Sequence, residues 1–258
     1  MVNIKNMKVV ILAGGFGSRL AEYTEVIPKP MVKIGNIPML IHIMRHYAKY
    51  GHKEFYLALG YKSELIKDYF FNLNRFNSDF TIDYSNDEIF IHNKKSLDWK
   101  VTLVDTGINS MTGGRLKRIK KYIDNQTFFM TYGDGVSNVN LDKLYKYHEK
   151  QKKLVTVTIV RPTSRFGEIN LEQDKIKSFI EKPSSSKGWI NGGFFVMEPK
   201  FLDYIKNDTT VLEKEPLEKA AKENELVAYK HNDFWQCMDT KRDKELLENL
   251  WSKNKKFI

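Results

Sequence analysis

Val9-Val10-Ile11-Leu12-Ala13-Gly14-Gly15-Phe16-Gly17-Ser18-Arg19-Leu20, followed by Lys29 in Pro28-Lys29-Pro30, is the stretch from which the fold is read. The apolar run Val9 to Leu12 reads as a buried strand. It opens into a glycine-rich turn whose backbone N–H groups have few side chains in the way, so phosphate oxygens can approach closely. Arg19 and Lys29 add two cations beside the turn, which suits a triphosphate. The stretch points to a nucleotide-handling enzyme. A P-loop would close with Lys-Ser or Lys-Thr, and neither pair is present here. A dinucleotide fingerprint would place a third glycine where Leu20 stands. An ordinary glycine turn at a strand end is the remaining alternative, and the two cations argue against it.

The chain has 258 residues, enough for one large α/β domain or two small ones. Hydrophobic residues make up 41%, which allows a substantial core, and charged residues make up 29%, which suits a soluble surface. No apolar run approaches the roughly 20 residues of a membrane span, and Met1 to Lys8 lacks the apolar stretch of a secretion signal. A single cysteine, Cys237, excludes an intrachain disulfide and any Cys-cluster metal site. A cytoplasmic protein is expected, with no membrane partner. The formal charge of +10 could serve nucleic acid or anionic small molecules. The lysines are scattered, however, and the densest basic group, Arg115-Leu116-Lys117-Arg118-Ile119-Lys120-Lys121, reads as a helix. Its Leu116 and Ile119, with Ile123, would face inward and its cations would face solvent. A nucleic-acid partner is not expected.

Coarse periodicity alternates strand and helix. Met7 to Ala13 and Glu54 to Leu59 read as strands. Between them lies a helix opened by Pro38 and ended by Gly51, and Ser63 to Leu73 reads as another. Asp79 to His92 alternates like a hairpin turning at Ser85-Asn86-Asp87, and a strand over Val101 to Val104 follows. Phe128 to Tyr132 and Val155 to Val160 are strong strands, with a helix over Leu141 to Lys150 between them. Short strand-like segments run from Phe166 to Met197. Asp239 to Trp251 reads as a final helix with Leu246, Leu247 and Leu250 on one face. The pattern predicts a single-domain, Rossmann-like α/β fold over residues 1–258. Its sheet would be mixed but mainly parallel, with helices on both faces. Residues 7–135 would form the nucleotide-binding half, and the strand-rich residues 136–258 would complete the substrate pocket, the half to which the resemblance below assigns the sugar phosphate.

Several residues could carry chemistry. Asp134, between Gly133 and Gly135 at a strand's carboxyl end, is placed to hold a divalent cation on phosphate oxygens, or it is a turn aspartate. Asp239 precedes the final helix and is expected to be its N-cap, with a second metal carboxylate as the alternative. Glu181-Lys182-Pro183 could bind a sugar hydroxyl and a phosphate, or form a charged turn. Asn191-Gly192-Gly193 would let a ring lie against the backbone, or only relieve crowding in a bend. The histidines, His42, His46 and His148 among them, show no metal spacing.

In this order along the chain, these motifs resemble the sugar nucleotidyltransferases. Within that family, Val101 to Gly107, Ser110-Met111-Thr112-Gly113-Gly114-Arg115, Thr131 to Gly135 and Phe234-Trp235-Gln236 resemble the cytidylyl-transferring subgroup that acts on glucose 1-phosphate. Ile27 departs from an expected lysine, and Cys237 from a common proline. The resemblance implies that Leu12, Ala13, Gly14, Gly15, Phe16, Gly17 and Ser18 hold the nucleotide. Arg19 and Lys29 would neutralise charge during transfer. Ser110, Gly114, Arg115 and Gly133 would shape the base pocket. Glu181, Lys182, Asn191 and Gly192 would hold the sugar phosphate, and Asp134 and Asp239 would bind Mg²⁺. The implied substrates are CTP and glucose 1-phosphate, with a homo-oligomeric assembly. UTP or dTTP as the nucleotide, or a catalytically silent regulatory module of the same fold, are the alternative expectations.

Overall fold

Strand β1 (Lys8–Leu12) is buried along its whole length. Val9 and Ile11 enter the core on one face of the sheet, Val10 and Leu12 the core on the other. That two-sided burial is the physical reason for a continuous apolar run rather than an alternating one. The structure is a computed structural model and describes residues 6–92, 97–162, 168–180 and 188–253.

Strand β1 pairs in parallel with β2 (Glu54–Leu59) on one side and with β4 (Phe128–Tyr132) on the other. Strand β3 (Lys100–Asp105) extends the sheet beyond β2, again in parallel. Beyond β4 lie β6 (Ile190–Met197), β5 (Val155–Val160) and β7 (Leu226–His231). The seven-stranded sheet has the order β7-β5-β6-β4-β1-β2-β3. Only β6 runs against the others, since its pairings with β4 and β5 are both antiparallel. The chain moves outward from β1 through β2 to β3, then returns to the far side of β1 as β4. Where the winding reverses, loops at the carboxyl ends of β1 and β4 part and leave a crevice.

Helices α1 (Met39–Lys49), α2 (Ser63–Phe76), α4 (Leu141–Gln151) and α6 (Lys241–Ser252) cover the Ile11 face, burying Ile43, Ile66, Leu144 and Leu247 there. Helices α3 (Thr112–Ile119) and α5 (Glu215–Lys222) cover the other with Leu116 and Leu217. The expected mainly parallel sheet with helices on both faces is therefore the observed one. The expected hairpin forms as Asp79–Asp83 against Glu88–His92. Strand β7 and helix α5 escaped separate notice in the sequence: β7 is a half-buried edge strand with little periodicity. Among the described residues, no helix is long and apolar enough to cross a membrane.

Two expectations for side chains are corrected. Leu247 is fully buried on α6, but Leu246 is 43% exposed, so the leucines do not share one face. Arg115, expected among solvated cations, is buried. Its neighbours Leu116, Ile119 and Ile123 face inward as expected.

Five histidines, His42, His46, His52, His148 and His231, are buried. His52 Nδ1 accepts from the Met7 amide at 3.2 Å, which requires the neutral ring. His46 packs edge-on against Phe194 and Tyr50. Burial lowers the His46 and His52 imidazoles each to about 4. The unfolded chain therefore takes up protons that the folded chain refuses, in the window between the ordinary histidine value and about 4. Stability present at neutral pH is lost as pH falls through that window, each ring contributing up to about 1.4 kcal/mol per pH unit. The urea midpoint should fall steadily from pH 6.5 to 4.5. A flat midpoint over that range would show that these rings keep access to solvent.

Candidate active site

Strand β4 ends at Tyr132, and the chain passes through Gly133 and Asp134 into the short strand Gly135–Ser137. That strand pairs antiparallel with Trp235–Cys237, placing Gly135 opposite Cys237. The Met238 amide then donates to the Asp134 carbonyl at 2.8 Å. This two-stranded ribbon carries Asp239 to the carboxyl end of β4, beside Asp134.

Asp239 does not cap α6, contrary to expectation. Thr240 is the N-cap: its hydroxyl accepts from the Asp243 amide at 3.3 Å, and the Asp243 carboxylate accepts from the Thr240 amide at 2.9 Å. The Asp239 carboxylate is thereby released to the site. Lys29, in the turn between Pro28 and Pro30, places Nζ 2.6 Å from Asp134 Oδ2 and 2.6 Å from Asp239 Oδ1. These partners lie 105 and 210 positions away along the chain. Arg19 Nη1 reaches Asp239 Oδ2 at 2.9 Å from a largely exposed position. Burial works against the charged Lys29 ammonium, but Asp134 and Asp239 outweigh it and raise its pKa above the ordinary lysine value.

Two cavities meet at this cluster. The smaller, about 370 Å³, is walled by the Leu12–Arg19 turn, Ser110, Arg115, Gly133 and Lys29. The larger, about 960 Å³, is walled by Asn191, Gly192, Trp235, Asp239 and Tyr132, among others. Arg19, Thr112, Tyr132 and Asp134 border both. The larger cavity takes residues from both halves of the chain, so it does not belong to residues 136–258 alone. The smaller falls within the first half.

The glycine-rich turn is shaped as much by the protein as by any ligand. Gly14 lies so close to the Arg115 guanidinium that a side chain at position 14 would collide with it. Gly17 adopts φ +67°, the left-handed region. Only at Gly15 is the space around the missing side chain open. The buried Arg115 donates from Nη1 to the carbonyls of Leu59 (3.1 Å) and Gly107 (2.8 Å) and to Thr106 Oγ1 (2.9 Å), and from Nη2 to the Ile108 carbonyl (3.0 Å). It braces the loops after β1, β2 and β3 against one another.

Gly114 is not brought to the cavity. It packs against the Asp208 backbone too tightly for a side chain, and its amide donates to the Thr210 carbonyl at 3.3 Å. Glu181 and Lys182 lie outside the described residues. Asn191 and Gly192 stand where β6 passes the larger cavity, and Trp235 Nε1 donates to the Gly192 carbonyl at 2.7 Å. Gly193, at φ +80°, lets the Tyr132 ring lie against the strand. No role was read in the sequence for Thr112, Tyr132, Glu213 or Trp235. Tyr132 carried one usable signal, as the last residue of a buried parallel strand.

A sequence model of the nucleotidyl transferase family matches residues 8–243. The chain belongs to this family. It is 48% identical over 250 residues to a glucose-1-phosphate cytidylyltransferase of Salmonella typhi, covering 96% of this chain and 97% of that one. It is 43% identical over 247 residues to a probable glucose-1-phosphate cytidylyltransferase of Bacillus subtilis, covering 95% and 96%. The crystal structure of HddC from Yersinia pseudotuberculosis complexed with GMP-PN superposes with a TM-score of 0.70 at 23% identity, covering 95% of this chain and 99% of that one. That likeness concerns the fold alone.

Cys237 sits in the ribbon beside the cluster. Burial, followed by the Asp239, Asp134 and Asp243 carboxylates, pushes its thiol up to about 12. The nucleotidyltransferase therefore carries a protonated thiol here at neutral pH. At pH 8, alkylation of Cys237 by iodoacetamide should be at least about tenfold slower in the folded protein than in urea. Equal rates would overturn this picture of the ribbon.

Proposed function

We propose that this chain transfers the cytidylyl group of CTP to α-D-glucose 1-phosphate, giving CDP-glucose and pyrophosphate. The observation that carries the reading is the meeting of Lys29, Asp134 and Asp239 at the junction of two cavities. The smaller cavity would take CTP, the larger the sugar phosphate. The choice of base and sugar rests on the two relatives named for that reaction. Residues 7–135 act as the nucleotide half, and residues 136–258 complete the sugar side.

A phosphate oxygen of glucose 1-phosphate attacks the α-phosphorus of CTP. The new P–O bond forms as the bond to the β-phosphate oxygen breaks, in line, and pyrophosphate leaves with that electron pair. The nucleophile is already an anion, so no side chain has to remove a proton. The difficulty is repulsion between anions, and the remedy is fixed positive charge and alignment. Lys29 is buried and held ionised by the two acids, so it is a ready cation beside the phosphates. Arg19, at the mouth of both cavities, adds a second cation for the phosphates. The Leu12–Ser18 turn supplies backbone N–H groups, with Gly15 the open point of approach. Arg115 supports that turn from beneath.

Asp134 and Asp239 fit a hard divalent cation. Their oxygens lie either side of one point that the Lys29 ammonium now holds, 2.6 Å from each. Two carboxylates completed by phosphate oxygens and water is an ordinary donor set for Mg²⁺. Among the described residues, no cluster of three or more His, Cys, Asp or Glu side chains offers a self-sufficient metal cage. When bound, Mg²⁺ supplies further neutralisation of phosphate charge. A homo-oligomer and a cytoplasmic setting, where CTP is at hand, belong to the same reading. Sedimentation of the pure protein checks the assembly, and a monomer at micromolar concentration would remove that part.

A matrix of CTP, UTP and dTTP against several sugar 1-phosphates, with magnesium, should show pyrophosphate release fastest for CTP with glucose 1-phosphate. A faster rate with another nucleotide would redirect the base assignment. No release with any pair would leave a silent module. Lys29→Ala and Asp134→Ala should each lower kcat by roughly a hundred- to a thousandfold while the folded protein persists by circular dichroism. Turnover within a few-fold of wild type would remove the role of the residue concerned.

A further inference from the structure

Asn191, Tyr132 and Glu213 form one hydrogen-bonded chain along the wall of the larger cavity. Asn191 Nδ2 donates to the Tyr132 hydroxyl at 3.3 Å, and that hydroxyl donates to Glu213 Oε1 at 2.5 Å. Glu213 Oε2 accepts from Thr112 Oγ1 at 2.7 Å. At the other end, Asn191 Oδ1 accepts from the Gly193 amide at 2.8 Å. All of the side chains in this chain line the larger cavity; Asn191 and Glu213 line it alone, whereas Tyr132 and Thr112 also border the smaller one.

The direction of this chain follows from its ends. A carboxylate only accepts, and a phenol has one proton to give. Tyr132 must therefore donate to Glu213 and accept from Asn191. That forces the Asn191 NH₂ towards Tyr132 and its oxygen towards the Gly193 amide. Both ends of the amide are then assigned by bonding rather than by shape. One N–H and one lone pair of Asn191 are left to serve a ligand.

The carboxylate that sets this direction is itself held from behind. Leu212, next to Glu213, is fully buried, and its amide donates to Thr112 Oγ1 at 2.9 Å. The preceding loop is stapled to the start of α3. The Met111 amide donates to the Asp208 carbonyl at 2.8 Å, and the Gly113 amide to the Thr210 carbonyl at 3.0 Å.

We propose that Glu213 is a positioning residue for the sugar phosphate: it sets the polarity of the Asn191–Tyr132–Glu213 chain, and so fixes the amide orientation with which Asn191 meets a sugar hydroxyl. The proposal rests on the function argued above and adds a residue outside the motifs that pointed to it. Glu213 touches neither Lys29 nor the metal carboxylates. Its effect belongs in recognition of the sugar, not in charge neutralisation at phosphorus.

Glu213→Gln tests this selectively. The glutamine oxygen can still accept from Thr112, but its NH₂ then faces the Tyr132 hydroxyl. The Tyr132 proton has then lost its acceptor and can turn to Asn191, whose oxygen can meet it only by giving up the Gly193 amide. KM for glucose 1-phosphate should rise about tenfold, the scale of one hydrogen bond lost at a polar site. KM for CTP should stay within twofold and the melting temperature should be unchanged. Tyr132→Phe cuts the same chain at its centre and should show the same selective rise. The double variant should be no worse than either single one, because both break one unit. Additive effects, equal rises in both KM values, or an unchanged KM for glucose 1-phosphate would overturn the proposal. Should Glu213→Gln melt early, Tyr132→Phe alone decides by the same criterion. Wild-type protein that does not turn over glucose 1-phosphate would instead defeat the functional reading itself.

Discussion

The site depends on a single ammonium group held between two carboxylates. Lys29 lies buried 2.6 Å from both Asp134 and Asp239, and each of the three comes from a different part of the chain. Two acids at that separation without a cation would repel each other and lose hydration. Lys29 without the acids would be a desolvated charge. The cluster is self-consistent only when complete, and the Gly135–Ser137 ribbon with Trp235–Cys237 completes it. Everything around it serves that meeting. The parallel sheet delivers Asp134 at the end of β4. The prolines around Lys29 fix the turn that aims it. The capping of α6 by Thr240 and Asp243 frees Asp239.

Much of the fold was legible because burial on both faces of a parallel sheet leaves a strong mark. Glu54–Leu59, Phe128–Tyr132 and Val155–Val160 read as unbroken apolar or β-branched runs, and they are strands over those same residues. The edge strand Leu226–His231 left a weaker mark because only part of it is covered. At the site, Arg19, Lys29, Asp134 and Asp239 were legible as residue types at loop positions, but their convergence was not. Asp239 shows the limit well. Asp before a helix is a sound N-cap by local chemistry, and only the neighbouring Thr240 with Asp243 displaces it. Two good caps side by side cannot be ranked without the tertiary contact that claims one of them.

Arg115 teaches the opposite lesson. A basic run with apolar residues at helical spacing predicts outward cations, and for Lys117 and Lys120 that holds: both are exposed, Lys117 reaching the Ile205 and Lys206 carbonyls and Lys120 the Asp203 carboxylate. Arg115 lies one residue before Leu116, and the helix turns it under the sheet's carboxyl edge. Its planar fork of donors suits the carbonyls of Leu59, Gly107 and Ile108, which converge where β2 ends and in the loop after β3. Lysine could not satisfy several carbonyls in one plane. Gly14 and Gly60 are then required by the guanidinium's bulk, so part of the glycine signature records this brace rather than a ligand.

The ribbon also bears on the order in which the protein can be made. A ribosome that has synthesised everything up to Phe234 holds a chain with Lys29, Asp134 and nearly the whole sheet, yet it lacks the strand that brings Asp239. Synthesis proceeds at about 5–20 residues per second, and domains generally fold as units. Because the strand over Trp235–Cys237 and Asp239 come near the end of that unit, the charge cluster can be completed only when almost the whole chain has been made.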